Sequence, residues 1–280
     1  MAKRNLMLLF IICITGKTFS QVKLKEDGIG WTYDYIPSNA SSGGLENYQL
    51  LNEISATAGR FAFKNETQAG ILRYSSNYNS FQQSFLNLEN HIQTSYKVMP
   101  NFSFQTKLGI GVYTNYQGDL NLNDLVFTGI STFIKTWGEE GNLETSLEAG
   151  IAYETYLGEP AILPVIAFRT PISPNVSLTA GFPYSALAFH LNNQNTIKLA
   201  HVFEGSFYKL SENPSGATAS IALQKLGISF QHELFQSWSF HLGSDYILKS
   251  ETNIPAPGGD EEYNNSLNAF SINAGFNIKL

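Results

Sequence analysis

The sequence predicts an all-β chain, a transmembrane up-and-down antiparallel β-barrel of about fourteen strands, with twelve as the alternative. Three observations predict it. Segments alternating between apolar and polar residues fill the chain after residue 20, the signature of strands that show one row of side chains to lipid and the other to a lumen. No stretch after residue 20 approaches the roughly 20 apolar residues of a spanning helix, so a membrane location requires strands closed on themselves. Charged residues are scarce, at 14%, and aromatics plentiful, at 13%, as expected for a lipid-facing belt edged by aromatic girdles.

The first element reads as a secretory signal over residues 1–20: Lys3 and Arg4, an apolar run from Leu6 to Ile14, and a small-residue exit at Thr18-Phe19-Ser20. Its apolar run is too short to span a bilayer. Cys13, the only cysteine, lies in mid-run rather than at the cleavage point, so a lipid anchor is not expected, and the mature chain 21–280 is cysteine-free. Without Lys3, Arg4 and Lys17, 14 basic residues face 23 acidic ones, a net charge of −9. That balance argues against nucleic acid as a partner.

Strands are expected near 29–36, 50–63, 68–78, 86–98, 102–116, 125–137, 143–156, 162–171, 176–182, 185–191, 196–209, 217–232, 238–249 and 267–280. The clearest, Phe102 to Tyr116, carries Phe102, Phe104, Thr106, Leu108, Ile110 and Val112 on one row and Ser103, Gln105, Lys107, Gly109 and Gly111 on the other. A helix would scatter these rows around its axis. A soluble sandwich also alternates, but these segments are long for soluble sheets and suit a tilted crossing. Connections after even strands are uniformly short and include Met99-Pro100-Asn101 and Ser173-Pro174-Asn175, good turn sequences; those after odd strands are mostly longer, as for a barrel with both termini in the periplasm. Pro183-Tyr184 is the exception, and the brevity of its flanking strands is what keeps twelve open. Two segments change face, 50–63 and 217–232, and a β-bulge is expected in each.

The last residues, with Asn273, Gly275, Ile278 and Leu280 in the key places, resemble the C-terminal insertion signal of outer-membrane barrels, although Leu280 replaces the usual aromatic. Ile162-Leu163-Pro164, the Ser173-Pro174 turn, and Gly181-Phe182-Pro183 before a strand ending at His190-Leu191 carry a second likeness. Over about residues 86–280, the chain resembles a family of Gram-negative outer-membrane barrels classed only as a domain of unknown function. The resemblance implies the barrel fold, the outer membrane, its lipid and the barrel-assembly machinery as biogenesis partners. It implies no activity.

The expected lumen row collects Arg73, Glu89, His91, Lys97, Lys107, Glu144, Glu148, Glu154, Arg169, His190, Lys198, His241, Asp245 and Lys249. Both signs are present, so these groups either pair across the interior or line a wet pore. His241 and Asp245 stand four apart on a strand, roughly 13 Å, too far to share a metal. The five histidines show no ligand spacing, and neither Ser229 with His232 nor Ser239 with His241 forms a recognisable nucleophile motif. No enzyme activity and no cofactor are expected. Two functions stay open: a passive conduit for small solutes, since fourteen strands enclose more than side chains must fill, and a non-conducting scaffold or surface-binding barrel. The acidic loop around 251–266 reads as a solvated outer connection.

Overall fold

The computed structural model describes residues 23–24, 28–38, 43–76, 81–115, 124–138, 144–210, 217–235, 237–255, 262–263, 267 and 269–279. Residues 1–20, expected as a signal, and Leu280 lie outside them. Among the described residues the ring strands are β1 (Gly28–Ile36), β2 (Gly44–Ala58), β3 (Phe61–Ser76), β4 (Phe81–Met99), β5 (Phe102–Thr114), β6 (Leu125–Trp137), β7 (Thr145–Glu154), β8 (Ala161–Ser173), β9 (Val176–Phe182), β10 (Tyr184–His190), β11 (Asn195–Lys209), β12 (Thr218–Leu234), β13 (Trp238–Pro255) and β14 (Phe270–Lys279). Each pairs antiparallel with the next, and β14 pairs with β1 from Ile272↔Tyr35 to Lys279↔Gly28. The result is a closed fourteen-stranded antiparallel barrel. Closure gives every strand two neighbours and leaves no edge at the level of the termini-proximal section, which is what permits a sheet to cross a bilayer. Lys23–Leu24 and Glu262–Tyr263 extend the pairing onto β2 and β13.

The short pair β9 and β10 belongs to the ring, β10 paired without a break to β11 and β9 paired to β8 with one shift that skips Ile172 between Val176↔Ser173 and Ser177↔Pro171, which settles the strand number at fourteen. Two expected bulges are corrected. The change of face in 50–63 is a chain reversal: Gly59, at φ 60°, and Arg60 form a tight turn between β2 and β3, and Ala58 pairs with Phe61. Glycine meets that left-handed φ at little steric cost. Residues 64–67, expected as a connection, therefore lie inside β3. In β12 the parity never changes: Ile221, Leu223 and Lys225 point inward, and Leu226, Ile228 and Phe230 outward. The bulge is on its partner, where Leu248 is skipped between Lys225↔Ile247 and Gln224↔Lys249.

The termini share one end of the barrel, with short turns; the longer connections share the other, here the loop end. β4 runs for 19 residues, about twice the roughly 9–11 a tilted strand needs to cross a bilayer. The surplus has its own chemistry. Nearer the termini, outward residues are apolar and exposed, including Leu108, Ile110, Ile151, Ile166, Leu226, Ile228 and Leu242. Aromatics edge this belt: Phe61, Tyr96 and Trp238 near the termini, Tyr48, Tyr246 and Phe270 toward the loop end. A polar outward trio within it, Asn65, Thr67 and Asn90, is satisfied internally by bonds of 2.9 to 3.3 Å.

Above the belt both faces invert. Outward positions become Glu46, Arg73, Ser84, Gln224, Lys249 and Glu251. Inward positions pass from Asp34 to Ile36, Asn47 to Leu45, Gly70 to Leu72, Asn87 to Phe85, and Lys225 to Leu223. Ile36, Leu45, Leu72, Tyr74, Phe85, Tyr113, Val126, Tyr208, Ile221, Leu223 and Ile254 make one buried cluster. Apolar inside and polar outside is the pattern of a protein in water, whereas the lower section is that of a protein in lipid. The loop end is therefore a water-facing head built by the barrel's own strands.

Candidate functional site

The head is narrower than the barrel beneath it. β7 ends at Glu154, opposite the first residue of β8, Ala161. β9 and β10 turn back at Pro183, after the cis Phe182–Pro183 bond, at the level of Ile166 and Val202. β11 rises past this point to Lys209, paired there with β12 alone among its ring neighbours. With four strands ended, the flanking walls meet: Lys209 bridges Thr114 of β5 in parallel, and its Nζ donates to the Leu125 carbonyl of β6 at 3.0 Å. Phe85 and Tyr208 stack beneath that bridge at 4.5 Å between centroids, and Tyr113 meets Tyr208 edge-on at 6.1 Å. Axial passage through the head is filled by side chains.

The connection 155–160 covers the step. It leaves the top of β7 and lies on the outward side of β11, where Thr155 Oγ1 donates to the Gly205 carbonyl at 3.3 Å. A Cβ on Gly205 would collide with the Thr155 carbonyl oxygen and come within 2.6 Å of the Gly158 nitrogen. Only glycine permits this docking. Gly158 itself stands at φ 87° beside Ala222 of β12.

Below the head the lumen is polar and its charges pair within and between strands. Lys64 bridges Glu53 at 2.8 Å and Glu66 at 3.4 Å, and Lys107 reaches Glu66 at 3.2 Å. Arg169 binds Glu148 at 2.7 Å, and the nearly buried Lys225 binds Glu204 at 2.5 Å directly beneath the apolar cluster. Cavities remain among the described residues. One of about 280 Å³ lies low in the lumen among Lys198, Gln231, Ser239, His241 and Asn277. Another, of about 180 Å³, lies beneath the step and is bounded by Lys107, Glu148, Tyr156, Arg169, Thr179 and Tyr184.

Of the lumen residues expected from sequence, Glu89, His91, Lys107, Glu148, Glu154, Arg169, Lys198 and Asp245 occupy inward positions, as does His241. His91 is 3.7 Å from Glu89 and 3.4 Å from Thr128; Asp245 accepts from Ser271 and Asn273, each at 2.9 Å. Lys97 and His190 are inward but exposed near the termini end, His190 between Ser177 and Thr196 at 3.4 and 3.2 Å. Glu144 sits exposed just before β7.

Two assignments are corrected. Arg73 faces outward on the head, 3.9 Å from Glu46 and over the Tyr48 ring at 5.8 Å; starting β3 at Phe61 puts every odd residue outside. Lys249 also faces outward, because the Leu248 bulge shifts parity, and pairs with Glu251 at 2.5 Å. Sequence reasoning missed Lys64 and Glu66, which the expected connection 64–67 hid although they alternate with Phe61 and Phe63 on the other row. It also missed Asp34, Glu204 and Lys225. Ser229 and His232 lie on opposite faces of β12 and cannot act together. Among the described residues no three potential ligands cluster for a metal. Most of the acidic stretch 251–266 lies outside the described residues, but Glu251 belongs to β13.

The model of a family described as a domain of unknown function (DUF6268) matches residues 65–280. Comparison with curated proteins finds no match. Among solved structures, the chain is similar to the translocator domain of autotransporter NalP from Neisseria meningitidis, at 12% identity and a TM-score of 0.39, covering 100% of this chain and 95% of that one. It is similar to an outer membrane channel from Pseudomonas putida F1, at 10% identity and 0.46, covering 94% and 99%. It is similar to the P. putida toluene transporter TodX, at 8% identity and 0.42, covering 94% and 91%.

Proposed function

The chain belongs to the family described as a domain of unknown function (DUF6268), and we propose that it is an outer-membrane barrel serving as a normally shut conduit for small solutes. Its termini and short turns would face the periplasm and its head the outside. The observation that carries this reading is the division of the lumen. Within the belt the interior keeps polar cavities of about 280 and 180 Å³, whereas the apolar seal lies in the head. A barrel serving only as an anchor could be filled throughout by side chains, as small barrels are.

The outer membrane is supported by the signal-like segment, the terminal residues Asn273, Gly275 and Ile278, and an apolar belt on a closed ring. The buried cluster across the lumen also favours a second reading, a non-conducting barrel that displays its head at the surface. Swelling of liposomes containing the purified protein in an isotonic solution of the pentose arabinose distinguishes them. A conduit raises the rate above that of lipid alone and shows rare openings in planar bilayers. If neither is seen, and variants that release the head show neither as well, the display reading replaces it.

A further inference from the structure

We propose that solute leaves the lumen sideways, through a binding chamber beneath the step, under the connection 155–160, and that this chamber takes uncharged, hydroxyl-bearing solutes of about monosaccharide size. The proposal rests on the conduit reading and says where the path runs and what it accepts.

The placement of the barriers is the first argument. An axial route would have to part Phe85 from Tyr208, break the Lys209–Thr114 bridge and expose a buried apolar cluster to water. The lateral route meets less. Above Pro183 the upper edges of β8 (161–165) and β11 (203–209) have no strand between them. What closes this notch is the connection 155–160, held by the Thr155–Gly205 bond and the Tyr156–Phe182 edge contact at 6.4 Å, with Gly158 so close to β12 that a Cβ there would stand 3.3 Å from that of Ala222. At the foot of the notch the Phe203 amide donates to the Pro183 carbonyl at 3.1 Å. On the outer side of the same connection a groove of about 520 Å³ lies between Leu157, Glu159 and the β12–β13 face. The connection thus separates the chamber from an open groove, and its movement breaks few bonds.

The chemistry of the chamber is the second argument. Its volume is about 180 Å³. Each charged group lining it already has a partner, Arg169 with Glu148 and Lys107 with Glu66. An ion entering would compete with one of these pairs. The groups left to a solute are Gln105 and Thr179, which donate and accept, and the rings of Tyr156 and Tyr184. Amide and hydroxyl groups beside aromatic rings suit a molecule with hydroxyls on an apolar carbon frame.

Liposome swelling tests both parts. Gly205→Leu places a side chain where the connection docks and is expected to raise arabinose flux at least tenfold over the reference chain. Phe85→Ala/Tyr208→Ala, which loosens the axial seal, is expected to leave flux within twofold. Gly158→Cys/Ala222→Cys should lock the connection when oxidised, since a Cβ on Gly158 would stand 3.3 Å from that of Ala222, close to disulfide spacing; flux should fall to that of lipid and return on reduction. If Gly205→Leu does not assemble, Thr155→Ala/Tyr156→Ala removes the docking contacts from the other side and is expected to raise flux likewise. Flux raised by the Phe85/Tyr208 variant but not by the connection variants overturns the lateral path and leaves the conduit reading intact. Silence of the reference and every folded variant overturns the conduit reading itself. Sodium glutamate or lysine hydrochloride passing the open variant as fast as arabinose overturns the assignment of solute class.

Discussion

Phe85 and Tyr208 stack at 4.5 Å although β4 and β11 are far apart in the hydrogen-bonded order of the ring. In a round barrel those walls would face each other across open space. They touch because β7 to β10 stop short and let the walls above them fold together.

Removing either ring should destabilise the head. Tyr208→Ala deletes a fully buried aromatic, and such truncations cost about 3–5 kcal/mol. Tyr208→Phe keeps the packing and should cost far less. Urea titration followed by tryptic cleavage above the belt would show it; equal midpoints for Tyr208→Ala and Tyr208→Phe would mean that the ring contact contributes little.

The two ion pairs at the base of the head should behave differently. Lys225 has a side chain only 6% exposed and is bound by the half-exposed Glu204, so Glu204→Gln leaves a buried charge short of one of its partners, a loss of about 1–3 kcal/mol. Lys249 and Glu251 are 65% and 63% exposed, and Glu251→Gln should change stability by about 0–1 kcal/mol. Denaturation midpoints of the two variants, read by gel mobility, compare them directly. Equal shifts would show that water reaches Lys225 freely.

Polarity inversion predicts a labelling pattern on whole cells. Residues 21–280 carry no cysteine, so on cleavage of the expected signal single cysteines report cleanly. Arg73→Cys and Lys249→Cys, outward on the head, should react with an impermeant maleimide. Ile228→Cys, outward in the belt, and Asn101→Cys, in a turn at the termini end, should stay unlabelled. Labelling at Asn101 with none at Arg73 would reverse the orientation. Gly259, in the expected outer loop, lies outside the described residues but should label with the head positions.

The closing strand should discriminate charge by face. Phe276 is outward and meets Trp31 in a tilted ring contact at 5.9 Å, and arginine there should cost up to roughly 2–4 kcal/mol, less toward the interface. Asn277 borders the lower cavity, where water can receive a charge, so Asn277→Arg should assemble. Deleting 278–280 should impair insertion more than either. Heat-modifiable gel migration measures folded protein in all three, and assembly of Phe276→Arg but not Asn277→Arg would falsify the facing of β14.

Much of this was legible along the chain. Fourteen strands, their antiparallel order and the facing of Phe102 to Thr114 and of Phe270 to Lys279 follow from local alternation and from the length of each connection, because lipid demands apolar residues on every second position and short turns demand particular residues. What local alternation leaves undetermined is which medium an apolar row meets. Ile221 and Leu223 read like Ile228 and Phe230, yet the first pair faces a protein core and the second lipid, and the apparent slip between them is a change of surroundings rather than of backbone. Arg73 and Lys249 were misplaced for a second reason: a turn at Gly59 and a bulge at Leu248 set their parity, and neither changes composition enough to be seen. The stack of Phe85 on Tyr208, the docking of residues 155–160 on Gly205 and the chamber beneath them were settled only by tertiary structure, since they depend on ring closure and on four strands ending early, both of which bring together residues that no sequence period relates.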